Sequence, residues 1–247
     1  MILQVSNLHK SFGGIKASSN INLGVAAQQI HAIVGPNGAG KTTLIGQLSG
    51  LLKPDSGEIV FDGNNITRSS SHRRAHLGLA RSFQITSVIL PLTVLENVML
   101  SVQSISGHSF RFWSPVSRET HIHEQAMLVL SDVGLESRAN ATASEISHGE
   151  RRQLEIAMAL ALRPKLLLLD EPMAGMGKQE TGNMIRLLEG LRGSLTILLI
   201  EHDMDAVFAL ADTTSVLVDG HIIATGKTEQ IRQNPEVQRA YLGDMTS

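Results

Sequence analysis

The chain has 247 residues, no cysteine, a formal net charge of -2 and a pI near 6.5. That excludes disulfides and thiolate metal sites, fits a reducing compartment and leaves no basic stripe for nucleic acid. The length suits one large domain or two small ones, and the longest apolar runs, Leu166 to Leu169 and Leu195 to Ile200, fall far short of the roughly 18 residues of a membrane span.

Met1 to Lys10 lacks a charged region followed by an apolar one, so no secretory signal is expected. Met1 to Leu8 and Asn20 to Val25 are expected to be strands, with Phe12-Gly13-Gly14 as the turn between them. Phe12 suits either a ring exposed for stacking on a base or a packed turn residue. Ile30 to Val34 then reads as a strand leading into Gly35-Pro36-Asn37-Gly38-Ala39-Gly40-Lys41-Thr42-Thr43, followed by helical spacing at Leu44, Leu48 and Leu51. Gly35, four residues and Gly40-Lys41-Thr42 form the P-loop pattern, whose small residues let backbone N–H groups turn inward around phosphates. Lys41 supplies a charge to the β- and γ-phosphates and the Thr42 hydroxyl a ligand for Mg²⁺. The helix N-terminus adds the positive end of its dipole.

Lys53 to Gly57 reads as a turn, Glu58 to Phe61 as a strand and Asp62-Gly63 as a hairpin signal. A short helix is expected near His72 to His76, then a strand over Leu79 to Gln84. Thr93 to Ser101 is helical, with Thr93 and Glu96 as a capping box. Gln103 to Pro115, rich in Ser, Gly, His and aromatics, reads as an irregular insertion. Thr120 to Val133 and Gly149 to Leu162 are strong helical patterns, so residues 85 to 163 form a mostly helical block inside an α/β core. The second of these helices opens on Ile146-Ser147-His148-Gly149-Glu150. Ser147 and Glu150 make an ordinary capping box; a hydroxyl and a Gly amide at an open helix N-terminus equally suit a phosphate brought by another chain.

The core resumes with the strand Leu166 to Leu169, which ends in Asp170-Glu171-Pro172. Ligands of open α/β sheets bind at such strand tips. Downstream of a P-loop, Asp170 is the expected second anchor for Mg²⁺, and Glu171 is placed to orient the attacking water or take its proton. A helix over Gln179 to Leu191 and a strand over Leu195 to Ile200 follow, and His202 falls at the same sheet edge, where it suits either a structural role or a hydrogen bond to the γ-phosphate. Helix Met204 to Ala211, a hairpin around Asp219-Gly220 and a terminal helix near Pro235 to Leu242 close the chain.

With the P-loop, Gln84, the Ser147 segment, Asp170-Glu171 and His202 in this order, the chain resembles an ABC transporter ATPase along nearly its whole length. The resemblance implies an α/β P-loop NTPase core of the ABC ATPase kind, with an antiparallel β subdomain and an inserted α-helical subdomain. Residues 1–84 and 164–247 would form the nucleotide-binding core and 85–163 the helical part. The implied cofactors are ATP and Mg²⁺, and the implied activity is ATP hydrolysis coupled to transport. Phe12 resembles the adenine-stacking aromatic, and Gln84 the Q-loop residue joining the Mg²⁺ and γ-phosphate site to the membrane subunit. Ser147-His148-Gly149-Glu150 resembles the signature motif, Glu171 the catalytic base and His202 the switch histidine. Because the family works as a head-to-tail dimer, Ser147 and Gly149 are expected on the nucleotide held by the other subunit's Lys41. In two places the chain departs from the family: His148 and Glu150 replace a Gly and a Gln of the signature, and Gly177 stands where the D-loop acid would fall.

Within that family, Arg81-Ser82-Phe83-Gln84, Leu92 to Val98, the insertion after Ser101, Met173 to Met176 and the ending from Asn234 to Gly243 are similar to the ATPases of branched-chain amino acid importers. That likeness implies integral membrane permease subunits as partners, a sibling ATPase or a second copy, an indirect link to a solute-binding protein, and a peripheral place on the cytoplasmic face of the inner membrane. No nucleic acid partner is expected. Urea or amide importers and the lipopolysaccharide-export ATPase share the same cues. A soluble non-transport ABC ATPase and a nucleotide-binding regulator without turnover are the readings from other classes.

Overall fold

A computed structural model describes residues 1–82, 88–105 and 116–244. The chain starts with β1 (Leu3–Phe12), β2 (Ile15–Val25), β3 (Ile30–Val34), α1 (Lys41–Ser49), β4 (Ser56–Phe61), β5 (Asn64–Asn65), α2 (Ser71–His76) and β6 (Leu79–Arg81). Three helices follow, α3 (Val94–Ile105), α4 (Val116–Asp132) and α5 (His148–Leu160), with a 3₁₀ turn at Glu136–Arg138. The rest alternates: β7 (Leu166–Asp170), α6 (Lys178–Leu191), β8 (Thr196–Ile200), α7 (Met204–Leu210), β9 (Thr213–Val218), β10 (His221–Gly226), α8 (Thr228–Arg232) and α9 (Pro235–Asp244).

Two sheets result. An antiparallel sheet has the order β2-β1-β4-β5, and a six-stranded sheet the order β10-β9-β3-β8-β7-β6, parallel except for β10. Strand periodicity divides the leucine run of β7 between two cores. Leu166 and Leu168 join Ile33, Leu198 and Ile200 against Leu44, Ile45 and Leu48 of α1 and the antiparallel sheet, while Leu167 and Leu169 face Val98, Leu130 and Leu154 of the three middle helices. Helix α1 is thus clamped between two sheets, which fixes the loop that precedes it.

Its far end is fixed as well. Gly50 closes α1 at φ +82, a left-handed conformation that glycine adopts without strain. The buried guanidinium of Arg74 donates from Nη1 to the Gln47 and Leu48 carbonyls at 2.6 and 2.7 Å, and from Nε to Ser69 O at 3.1 Å. Burial pulls its pKa down to about 10, so the group stays charged and caps the carbonyl end of α1.

Several boundaries differ from the sequence reading. Strand β1 runs through Phe12, and Gly13-Gly14 alone make the turn, because pairing with β2 continues to Phe12 opposite Ile15. Gln103 to Ile105 belong to α3. The remainder of the expected insertion, and Gln84 in the expected end of β6, lie outside the described residues. The sequence reading also left out β5, α8 and the 3₁₀ turn, each too short to show a period.

One polar group crosses the parallel sheet. His31 on β3 is fully buried, its Nε2 2.8 Å from Ser215 Oγ on β9, which lies 2.8 Å from Thr225 Oγ1 on β10. Burial pushes the His31 pKa down from 6.5 to about 4, so the ring is neutral at pH 7. Below pH 6.5 the unfolded chain takes up a proton that the folded chain refuses, so folding stability is full above pH 6.5 and falls as the pH drops toward 4. The loss reaches about 3 kcal/mol, and His31→Gln is expected to flatten that part of a pH series of urea unfolding curves. An unchanged slope in the variant would show that other groups carry the acid sensitivity.

Candidate nucleotide-binding site

The site forms at the carboxyl ends of β3, β8 and β7, which lie side by side and in step: Ile33 is level with Ile200, and Ile200 with Asp170. Three segments far apart in the chain therefore emerge at one edge: the glycine-rich loop 35–40, the pair Glu201-His202 and the pair Asp170-Glu171.

The loop is shaped by contacts that only glycine permits. A Cβ at Gly35 would meet Leu217 O at 2.0 Å, and one at Gly40, where φ is +103, would meet Ala17 O at 2.2 Å. Ala39 is buried, whereas Asn37, Gly38 and Thr42 face solvent, with Pro36 and Thr43 between these extremes. Lys41, 8% exposed, folds back over the loop, its Nζ donating to Gly35 O at 2.6 Å and Pro36 O at 2.9 Å. The result is a cradle of backbone and one ammonium at the start of α1, suited to a polyphosphate.

Opposite it, Asp170 is 4% exposed and accepts from Arg81 Nη2 at 3.1 Å. Burial pushes its carboxyl above the usual aspartate range, against the pull of Arg81 and, more weakly, of Lys41; the neighbouring Glu171 adds to the rise. The hydroxyl of Thr42 and the carboxylate of Asp170 are oxygen donors of the kind Mg²⁺ takes. Among the described residues no group of three or more His, Asp or Glu could hold a metal ion by itself.

Glu171 adopts φ +47, unusual for a residue with a side chain, while its N–H donates to Ile200 O at 2.9 Å. The strained backbone turns its carboxylate toward His202, whose Nδ1 lies 3.6 Å from Glu171 Oε1. Beneath them Glu201, 1% exposed, accepts from the N–H groups of Met173 at 3.1 Å and His202 at 3.2 Å, tying the turn after β7 to the end of β8. Burial raises its pKa, and those N–H bonds counter the rise.

The structure brings Lys41, Asp170, Glu171 and His202 together as expected. Phe12 ends β1, is 47% exposed and carries Lys10 Nζ 5.5 Å from its ring centroid. Its hairpin flanks the loop, since Lys16 opposite Ser11 is followed by Ala17, which touches Gly40. Ser147 caps α5 and closes the expected box with Glu150. That motif sits at the start of α5, and its Gly149 N–H bonds Glu180 of α6. Gln84 lies outside the described residues. Sequence reasoning gave no site role to Arg81, which it used only as a family cue, or to Glu201 and Glu180. Glu201 carried a signal, a carboxylate directly after a buried strand; the other two carried none, because their partners are 89 and 31 residues away.

Known proteins of similar sequence and shape agree with this geometry. A family model described as ABC transporter matches residues 18–174, and one described as Branched-chain amino acid ATP-binding cassette transporter matches residues 221–245. The chain is 39% identical over 250 residues to the high-affinity branched-chain amino acid transport ATP-binding protein BraF of Pseudomonas aeruginosa, covering 98% of each chain. It is 38% identical over 250 residues to the corresponding protein LivG of Escherichia coli, again covering 98% of each. Among solved structures it is similar to the ADP conformation of an ATP-binding cassette of an ABC transporter, with a TM-score of 0.85, 31% identity and 98% of each chain covered. A dimeric post-hydrolysis cassette bound to ADP and Pi matches with a TM-score of 0.77 and 25% identity, covering 92% of this chain and 98% of that one.

Proposed function

This chain belongs to the ABC transporter ATPases, and from that premise we propose that it is the ATP-hydrolysing subunit of an importer for branched-chain amino acids. The observation that carries the ATPase reading is the convergence of the glycine loop with Lys41, of Asp170-Glu171 and of His202 at adjacent strand tips. The cargo rests on the family of residues 221–245 and on relatives matched over their whole length.

In this reading, residues 1–84 and 164–247 hold the nucleotide and 85–163 form the helical part. Phe12 stacks on the adenine, the loop of residues 35–43 wraps the phosphates and turns backbone N–H groups toward them, and Lys41 neutralises them. Thr42 and Asp170, with Gln84, would hold Mg²⁺, which when bound offsets phosphate charge. Glu171 orients the attacking water and receives its proton, and His202 donates to the γ-phosphate. Ser147 and Gly149 complete the site of a partner ATPase, a sibling or a second copy. In this reading, supported by the transport ATP-binding relatives, the solute passes through separate permease subunits and the chain is peripheral to the cytoplasmic face of the inner membrane. Among the described residues no helix is long and apolar enough to cross a membrane. A solute-binding protein stands one step further away.

The test is mild-detergent affinity purification from the native cells, followed by mass spectrometry and labelled leucine uptake in a strain lacking the chain. Two multi-span proteins, a sibling ATPase and lost uptake are expected. Recovery of soluble partners or nucleic acid alone would overturn the transport reading.

A further inference from the structure

The carboxylate of Glu180 stands where two helices begin. Its Oε1 accepts from Gly149 N–H at 3.2 Å and lies 3.5 Å from Ser147 Oγ at the start of α5, while Oε2 accepts from Gly177 N–H at 3.2 Å at the start of α6. The approach depends on Gly149, where a Cβ would meet Glu180 Oε1 at 2.7 Å. Glu150, the other carboxylate of that turn, is engaged elsewhere, accepting from Ser147 N–H at 2.7 Å and pairing with Arg138 at 3.0 Å. On the remaining side, His148 Cε1 lies 3.7 Å from where a Cβ of Gly175 would be. The loop descending from Glu171 is therefore tied to α5 through Glu180, with Gly175 passing close to His148.

Gly149 N–H and Ser147 Oγ are also the donors assigned above to the partner's nucleotide. A carboxylate and a phosphate repel each other and compete for the same helix-terminal donors, so one must leave before the other binds. We propose that Glu180 is a positioning residue that occupies the phosphate-accepting end of α5 until ATP arrives, so that its displacement sets the ATP concentration at which the two subunits engage. The proposal rests on the reading of Ser147 and Gly149 given above. It also gives the loop 171–177, which has a glycine at 177, a carboxylate from the first turn of α6 as its link to α5. When Glu180 lets go of Gly149 it keeps its bond to Gly177, so nucleotide capture on α5 releases the loop that carries Glu171.

The test uses the purified transporter complex and two readouts: the ATPase KM and kcat, and hydrogen exchange at the Gly149 amide. Glu180→Gln keeps the shape and an acceptor oxygen but removes the charge. It is expected to lower the KM for ATP about tenfold, with kcat moving less, because the phosphate no longer displaces an anion. The Gly149 amide is expected to exchange faster in the ATP-free variant than in the ATP-free parent. The two should exchange alike when ATP is trapped in a Glu171→Gln background. Ser147→Ala should raise KM. If Glu180→Gln leaves KM unchanged or raises it while Ser147→Ala raises it, Glu180 is a structural brace and the proposal fails, with the phosphate reading intact. If neither substitution moves KM, the assignment of Ser147 and Gly149 fails first and takes this proposal with it. Should the Gln variant not assemble, Glu180→Asp, which withdraws the carboxylate by one methylene, is expected to shift KM in the same direction.

Discussion

Glu171→Gln is expected to lower steady-state ATP hydrolysis by about 10² to 10⁴-fold, the usual contribution of a positioned general base, while ATP binding stays within about threefold of the parent. The substitution changes one oxygen to an amide nitrogen and leaves every backbone constraint in place. The turn at φ +47, the N–H bond to Ile200 O and the buried Glu201 beneath Met173 and His202 all persist. What is lost is the acceptor facing the strand tips beside His202. Single-turnover hydrolysis and equilibrium binding of a fluorescent ATP analogue separate the two effects, and the variant should accumulate an ATP-bound dimer. A variant that hydrolyses ATP at the parent rate would show that the base is another group.

Lys41→Ala should fail one step earlier, at binding. The Nζ now lies on the Gly35 and Pro36 carbonyls at 2.6 and 2.9 Å, inside the cradle, where phosphate oxygens would compete for it. Hydrogen bonds to charged groups are worth about 1.5–3 kcal/mol each, so losing contacts to two phosphates weakens ATP binding by about 10² to 10⁴-fold. The fold should tolerate the change. Alanine is the best helix former, and α1 is held by Leu44, Ile45 and Leu48 between two sheets and by the Arg74 cap at its end. Isothermal titration with ATP, beside a thermal melt within a few degrees of the parent, checks both statements. Retained affinity would remove the lysine from the site.

Taken together the two variants divide the site into a binding half and a chemical half. The division follows from topology. In the proposed reading the loop after β3 would meet phosphate, whereas the tips of β8, next to β3 in the sheet, and of β7 beyond it carry the groups that would face the departing end of the triphosphate.

Much of this was legible in the chain itself because the chemistry is local there. A phosphate cradle needs small residues in succession, then an ammonium and a hydroxyl at a helix start, and residues 35–43 supply them in order. The capping boxes of Thr93 with Glu96 and Ser147 with Glu150 were equally readable, since each is closed within one helical turn. Period and length gave the strands at Ile30, Leu166 and Thr196, and the helices at Lys41, Val94, His148 and Lys178, to within a few residues.

What the tertiary structure decided was adjacency. The strand order β3-β8-β7 sets Lys41 against Asp170, 129 positions on by their numbers, and no local pattern encodes that order. The same holds for the ion pair of Arg81 with Asp170, for Glu201 beneath the Met173 turn, for Ala17 closing on Gly40 and for Glu180 reaching Gly149. The physical reason is the same in each case. Motif residues answer to a ligand that contacts consecutive backbone groups, and so they are consecutive in sequence. Supporting residues answer to buried charges and unpaired helix ends, which any element brought near by packing can satisfy.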